Sequence, residues 1–285
     1  MTRPERYLVG LIGAGIATSM SPALHEREAD RHGVRYLYQL VEIESGDVGD
    51  LLAAARRLGF RGLNITHPAK QEVVKHLDDL APEAAGLGAV NTVVFDDGRA
   101  VGHNTDRYGF SAGLARALPG VALDHVVQLG AGGAGLAVAS ALAGAGTRRL
   151  SVADIDPERA GRLARATAAH GAMTVEAITP ETVPARLAEA DGLVNATPIG
   201  MEGHPGTPIG AEHLRAGLWV ADVIYRPLET ALIHAARQRG CRVADGGGMA
   251  VYQAAASFRL FTGLIPDEDR MYRDFAELAG GDGRA

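Results

Sequence analysis

The order of segments along this 285-residue chain predicts an α/β protein of two units, each built on a mostly parallel sheet. Three observations carry the prediction. Apolar runs of strand length alternate with amphipathic runs of helix length. The alternation restarts near Thr105. Finally, 37 glycines stand against 6 Phe, 7 Tyr and 1 Trp, the profile of a fold with many strand-to-helix turns and aliphatic cores.

Residues 6–13 (RYLVGLIG) read as the first strand, and residues 21–33 (SPALHEREADRHG) as a helix with Ser21 as N-cap, Pro22 at its first position and Gly33 as its stop. A strand at 36–43, a helix at 47–59 and a strand at 60–66 (FRGLNIT) follow. That last strand is expected to open through Pro68 into a helix over 69–80. Residues 89–95 and 100–106, joined by the turn DDGR, read as an antiparallel hairpin closing the first unit. The second unit begins with a helix at 106–118, then a strand entering a glycine turn at 125–135, a helix at 136–146, a strand at 148–156 and a helix at 157–171. Strands at 173–178, 192–197, 218–224 and 241–245 precede two closing helices, 249–263 and 268–280.

Charge and cysteine usage narrow the function classes. The net charge is −6 with no basic run, which disfavours nucleic acid and anionic membrane and leaves a small molecule as the partner. Cys241 is the only cysteine, so no internal disulfide forms, no thiolate metal cage is expected, and a reducing cytoplasm fits. The run YLVGLIGAGIA is too short and too glycine-rich to cross a bilayer and reads as a strand rather than a signal.

The stretch VVQLGAGGAG, residues 126–135, has the strand, glycine turn and helix order that brings backbone amides against a pyrophosphate. Gly130, Ala131, Gly132, Gly133 and Ala134 are therefore candidate cofactor-binding residues, although a glycine turn alone can be merely a tight turn. Asp154 ends the next strand, where an acidic side chain accepts hydrogen bonds from the adenosine ribose and repels a 2′-phosphate. This favours NAD over NADP. The plainer role, capping the following helix, suits Asp156 before Pro157 better. An earlier GLIGAGIATSMS also resembles a dinucleotide turn, but no helix follows until Pro22 and no acidic residue ends the next strand at the right distance.

Strand C-terminal ends are where open α/β sheets place ligands, and LNIT ends with Asn64 and Thr66 beside Pro68 and Lys70. A cation in a first helical turn opposes the macrodipole by about 0.3 to 1 kcal/mol, so another gain should hold Lys70 there. Asp106, after Asn104 and Thr105, is available as its partner or as a helix cap, and the residues by themselves leave both open.

Taken together, SMSP (Ser19, Ser21), NITHPAK (Asn64, Thr66, Lys70), LGAVNTV (Asn91), GHNTD (Asp106), GAGGAG, NATPIGM, DVIYRPLET and GGGMAVYQAA (Gln253) resemble, in order and spacing, the shikimate dehydrogenase family. The resemblance implies an N-terminal α/β substrate domain over 1–106, to which 250–285 return, and a Rossmann-like NAD-binding domain over 107–249. By the family's pattern Ser19 and Ser21 hold the substrate carboxylate, while Asn64, Thr66, Asn91, Asp106 and Gln253 bind ring hydroxyls and Tyr225 adds a contact. Lys70 and Asp106 are the implied catalytic pair, and Asn195, Thr197, Val223 and Gly246 join the cofactor site. No metal is implied.

Family members that use NADP carry an Asn-Arg-Thr type motif after the second cofactor-domain strand, whereas this chain has Asp154, Ile155 and Asp156. It thus looks like the NAD-preferring quinate/shikimate dehydrogenases. His67, where many members have an apolar residue, reads as a cap of the turn rather than a tuner of Lys70. The expected reaction is reversible hydride transfer from a ring carbinol of quinate or shikimate to NAD, in a monomer or homodimer. A dehydrogenase of an amino analogue and a ligand sensor without catalysis are the alternatives.

Overall fold

In the computed structural model, which describes residues 5–44, 47–168 and 173–281, the chain divides into two units, Met1–Thr105 with Val251–Ala285, and Asp106–Ala250.

The first unit contains β1 (Arg6–Gly13), α1 (Ser21–Arg31), β2 (Arg35–Glu42), α2 (Val48–Arg57), β3 (Gly62–Ile65), β4 (Asp79–Leu80), α3 (Pro82–Ala85), β5 (Thr92–Asp96) and β6 (Arg99–His103). Its sheet has the order β2-β1-β3-β5-β6-β4. β1, β2 and β3 are parallel, and β5 runs antiparallel to β3 and to β6. The hairpin pairs Asp96 with Arg99 across Asp97 (φ 45°) and Gly98 (φ 76°), the two left-handed residues that a tight hairpin turn requires. Alternate strand residues supply two cores. Ile12, Leu63, Ile65 and Val93 pack on one face with Leu52 and Val73, and Val9, Leu11 and Val94 on the other with Tyr38 and Phe261.

Two expectations here are corrected. Residues 69–80 form turns, a short 3-10 segment (Glu72–His76) and β4, not a helix. The Lys70 carbonyl accepts from Val90 N at 2.8 Å, and Asp78 N and Ala81 N donate to the carbonyls of Ala100 and Gly102 at 2.9 Å. Pairing with β6 captures the backbone groups that a helix would have used. Lys70 therefore sits on a turn, and the macrodipole argument does not apply to it. At α1, Met20 occupies the capping position and Ser21 is the first helical residue; Ser19 Oγ accepts from Ser21 N at 3.3 Å.

The second unit contains α4 (Asp106–Ala117), β7 (His125–Leu129), α5 (Gly133–Gly144), β8 (Arg149–Ala153), α6 (Pro157–Ala168), β9 (Thr174–Ile178), α7 (Val183–Glu189), β10 (Gly192–Asn195), β11 (Trp219–Asp222), α8 (Ala231–Gln238) and β12 (Arg242–Ala244). α9 (Gly247–Thr262) begins in this unit and continues into the first, where α10 (Glu268–Gly281) follows. The expected helix over 157–171 reaches Ala168, and 169–171 lie outside the described residues. All strand pairs are parallel, in the order β12-β11-β10-β7-β8-β9. Both faces are covered: Val126, Leu150, Val152, Val194 and Trp219 enter one core, Val127, Leu193 and Val220 the other. α7 and α8 were not expected from the sequence. α8 nonetheless carries a local signal, since Thr230 Oγ1 caps Ile233 N at 3.2 Å. Among the described residues no helix is long and apolar enough to cross a membrane.

Candidate active site

In the first unit the candidate residues gather at the C-terminal ends of β1 and β3. The loop bearing Ser19 and Ser21 leaves β1, and the turn bearing Thr66 and Lys70 leaves β3. The two are tied together by Ala14 N donating to the His67 carbonyl and Thr66 N to the Ile12 carbonyl, both at 2.9 Å. Glu42, at the end of β2, accepts from the backbone N–H of Gly15 and Ile16 and holds the serine loop from its other side. Ser19, Ser21, Thr66 and Lys70 are half-buried, whereas the His67 side chain is exposed and only its carbonyl fastens the turn.

Beneath them lies a buried network of neutral groups. Tyr38 Oη donates to Asn64 Oδ1 at 2.8 Å, and Asn64 Nδ2 lies 3.0 Å from both Thr92 Oγ1 and Ser257 Oγ. Asn91 Oδ1 accepts from Thr105 N at 2.8 Å while its Nδ2 donates to Thr105 Oγ1 at 2.9 Å. Ser257 Oγ is also 3.1 Å from Thr105 Oγ1 and donates to the Gln253 carbonyl at 2.9 Å. Fully paired polar networks of this kind rigidify the groups they contain. Behind Tyr38, His25 is 1% exposed, with Nδ1 3.0 Å from Tyr36 Oη. Burial pushes the His25 pKa down to about 3, so its ring is neutral at ordinary pH.

Sequence reasoning named Asn64, Asn91 and Gln253 but missed Ser257, Thr92, Thr105, Tyr38 and Glu42. Ser257 was findable, because it lies one helical turn beyond Gln253 and shares its face. Thr92 stood inside a quoted motif without a role, Thr105 read only as a possible cap of the helix that follows it, and nothing local marks Tyr38 or Glu42.

In the second unit the strand order reverses between the parallel neighbours β7 and β10, the place where open parallel sheets bind ligands. After β7, Gly130 has φ 97°, and a Cβ there would stand 2.6 Å from the Ala196 carbonyl oxygen. A Cβ on Gly135 would stand 2.3 Å from the Gly130 carbonyl oxygen, whereas one on Gly132 would meet nothing within 4 Å. Gly130 and Gly135 are thus required by packing, and Gly132 leaves open space over the start of α5, which has no side-chain cap. Uncapped amides beside such a space suit a pyrophosphate, so the residues fit a dinucleotide. Asp154, at the end of β8, accepts from Ala131 N at 2.7 Å and from Asp156 N at 2.9 Å. Asp156 in turn caps α6, accepting from Glu158 N at 2.9 Å.

The loops after β10 and β11 complete this side. Asn195 has 0% exposure; its Oδ1 accepts from Thr197 Oγ1 at 2.7 Å and its Nδ2 donates to Asp222 Oδ1 at 3.1 Å. What the Asn195 side chain offers a cofactor is therefore the shape of its loop. Val223 N donates to the Asn195 carbonyl at 3.0 Å, and a Cβ on Gly246 would lie 2.3 Å from the Ile224 carbonyl oxygen. Tyr225 is half-buried on the loop after β11. Asp222 is 3% exposed, and burial, helped by the charge of Asp245, pushes its pKa up to about 6 against three hydrogen bonds that favour the carboxylate. Lys70 belongs to the first unit; Asp106 is the first residue of α4 in the second, and is buried.

A strand-end cluster of serines, asparagines and a lysine in one unit, with a dinucleotide turn in the other, defines a class of nicotinamide-dependent dehydrogenase. Two family models match, the shikimate dehydrogenase substrate binding domain over residues 11–93 and the shikimate 5′-dehydrogenase C-terminal domain over residues 246–273. The chain is 60% identical over 282 residues to a shikimate dehydrogenase (NADP(+)) of Streptomyces avermitilis, covering 97% of each chain. It is 49% identical to a quinate/shikimate dehydrogenase (NAD(+)) of Corynebacterium efficiens, covering 96% of this chain and 99% of the other. A quinate dehydrogenase from Corynebacterium glutamicum, solved in complex with NAD, superposes with a TM-score of 0.90 at 46% identity, over 96% of this chain and 99% of that one. The chain belongs to the shikimate dehydrogenase family.

Proposed function

We propose that this protein oxidises quinate, shikimate or both at a ring carbinol to the 3-dehydro acid, reversibly, with NAD as its preferred hydride acceptor. One observation carries the cofactor preference: the Asp154 carboxylate is anchored at the mouth of the glycine turn by Ala131 N and Asp156 N. An anion held there hydrogen-bonds a ribose hydroxyl and repels a 2′-phosphate. Ile155 beside it is 91% exposed and brings no charge, and the nearby Arg159 and Arg162 pair with Asp156. NADP as acceptor is the competing reading, favoured by the relative of that name at 60% identity.

Ser19 and Ser21 receive the substrate carboxylate in this reading. Thr66 and Gln253, the half-buried members, contact ring hydroxyls directly, with Tyr225 adding a contact. Asn64 and Asn91 hold the polar floor in one arrangement through the bonds described above, as a rigid polyhydroxylated ring requires. When bound, NAD supplies the acceptor for the hydride that leaves the carbinol carbon. Lys70, in its neutral amine form, receives the hydroxyl proton as the carbonyl forms, and Asp106 orients the amine and the hydroxyl. Asn195, Thr197, Val223 and Gly246 shape the cofactor side.

The test is to mix purified protein with NAD or NADP and quinate or shikimate in all four pairings and follow nicotinamide reduction by absorbance. The largest kcat/KM is expected with NAD. Turnover confined to NADP would overturn the Asp154 argument, and turnover with neither acid would overturn the substrate assignment.

A further inference from the structure

Gln128 is the one polar residue in the last four positions of β7, in the middle of a parallel sheet, and it has 0% exposure. A primary amide buried there is costly unless each of its polar atoms is paired. Its Nε2 donates to the Gly130 carbonyl at 2.8 Å and to the Gly135 carbonyl at 2.9 Å. Its Oε1 is buried with no hydrogen-bond partner among the described residues. Turning the amide over would face its oxygen toward two carbonyl oxygens, so the orientation is set and the orphan acceptor comes with it. A leucine of similar volume would fill the same space without that cost. Retaining the amide therefore calls for a gain outside core packing.

The gain lies in where the two carbonyls sit. Gly130 opens the turn, and Gly135 lies in the first turn of α5, where a Cβ would be 2.3 Å from the Gly130 carbonyl oxygen and 2.9 Å from Gln128 Nε2. Strand end, turn and helix start thus meet at one amide nitrogen. We infer that Gln128 is a positioning residue for the cofactor: from beneath the turn it holds the backbone amides of residues 131–133 in the arrangement that receives a pyrophosphate, without touching it. The inference rests on the reading that this turn binds a nicotinamide dinucleotide.

The experiment compares wild type with Gln128→Leu and Gln128→Met, by calorimetric titration with NAD and with NADP, thermal unfolding without ligand, and amide hydrogen exchange. Loss of two neutral hydrogen bonds should weaken binding of the preferred dinucleotide about tenfold in both variants. The ligand-free melting temperature should change little, since removing the orphan acceptor offsets the loss of the two bonds to the Gly130 and Gly135 carbonyls. Faster exchange should be confined to residues 130–136, and the KM for the cyclic acid at saturating dinucleotide should stay unchanged. Unchanged dinucleotide affinity overturns the inference, whatever the melting temperature does. So does weakened affinity accompanied by faster exchange throughout the unit, which would mark a purely structural residue. Wild type that binds neither dinucleotide would instead refute the assignment of the turn itself, and with it any such role for Gln128.

Discussion

Asp222 gives the folded state a pH dependence opposite to that of most carboxylates. It ends β11 with 3% exposure and accepts hydrogen bonds from Asn195 Nδ2 and Ile224 N at 3.1 Å and from Thr230 Oγ1 at 2.8 Å. Those bonds favour the carboxylate, yet burial outweighs them and lifts the pKa from 3.8 to about 6. At about 1.4 kcal/mol per pH unit, the rise corresponds to about 3 kcal/mol. A carboxyl that holds its proton more tightly in the folded chain contributes stability that is complete below pH 3.8 and is lost as pH rises through about 6. Asp222→Asn removes that titration. It also removes the acceptor for the Thr230 hydroxyl, but this lost bond shifts stability equally at every pH. Urea unfolding of both proteins from about pH 4 to 7.5 should therefore show wild type losing about 2 to 2.5 kcal/mol relative to the variant, most of the full difference. The double difference cancels the other titrating groups. Parallel stability profiles for the two proteins would refute the burial argument.

Lys70→Ala should lower kcat by about 10²- to 10⁴-fold while leaving NAD affinity intact; turnover near that of wild type would remove Lys70 from the chemistry. Asp154→Ala should weaken NAD binding by roughly tenfold or more and narrow the preference over NADP, as measured by titration with each dinucleotide. An unchanged NAD to NADP ratio would count against its role. Gly135→Ala places a Cβ 2.3 Å from the Gly130 carbonyl oxygen, which should cost about 1 to 3 kcal/mol in urea unfolding and impair dinucleotide binding. A variant with native stability would show that strand and helix can separate there freely.

Much of the fold was legible because its signals are local. The Asp97-Gly98 turn names its hairpin, and the strand runs of the second unit alternate between its two cores at adjacent residues such as Val126 and Val127. Residues 69–80 misled for the converse reason. Their helix-like spacing is real, but the donors of Asp78 and Ala81 are taken by β6, whose first residue lies some twenty positions on. Ser21 misled in a smaller way, since its neighbour Ser19 does the bonding at the start of α1.

For the site, the sequence by itself determined residue types at strand ends: serines after β1, Asn64 and Lys70 at β3, a glycine turn after β7, and an aspartate after β8. These follow from chain-local chemistry, because a left-handed turn or a helix cap restricts which residue can occupy it. Only the tertiary structure decided the polar partners. Asn64 meets Ser257 across 193 positions, and Ala131 N finds Asp154 across 23. Such contacts depend on which strands lie side by side, and one bonded amide or hydroxyl looks like any other until sheet order brings its partner within 3 Å or so.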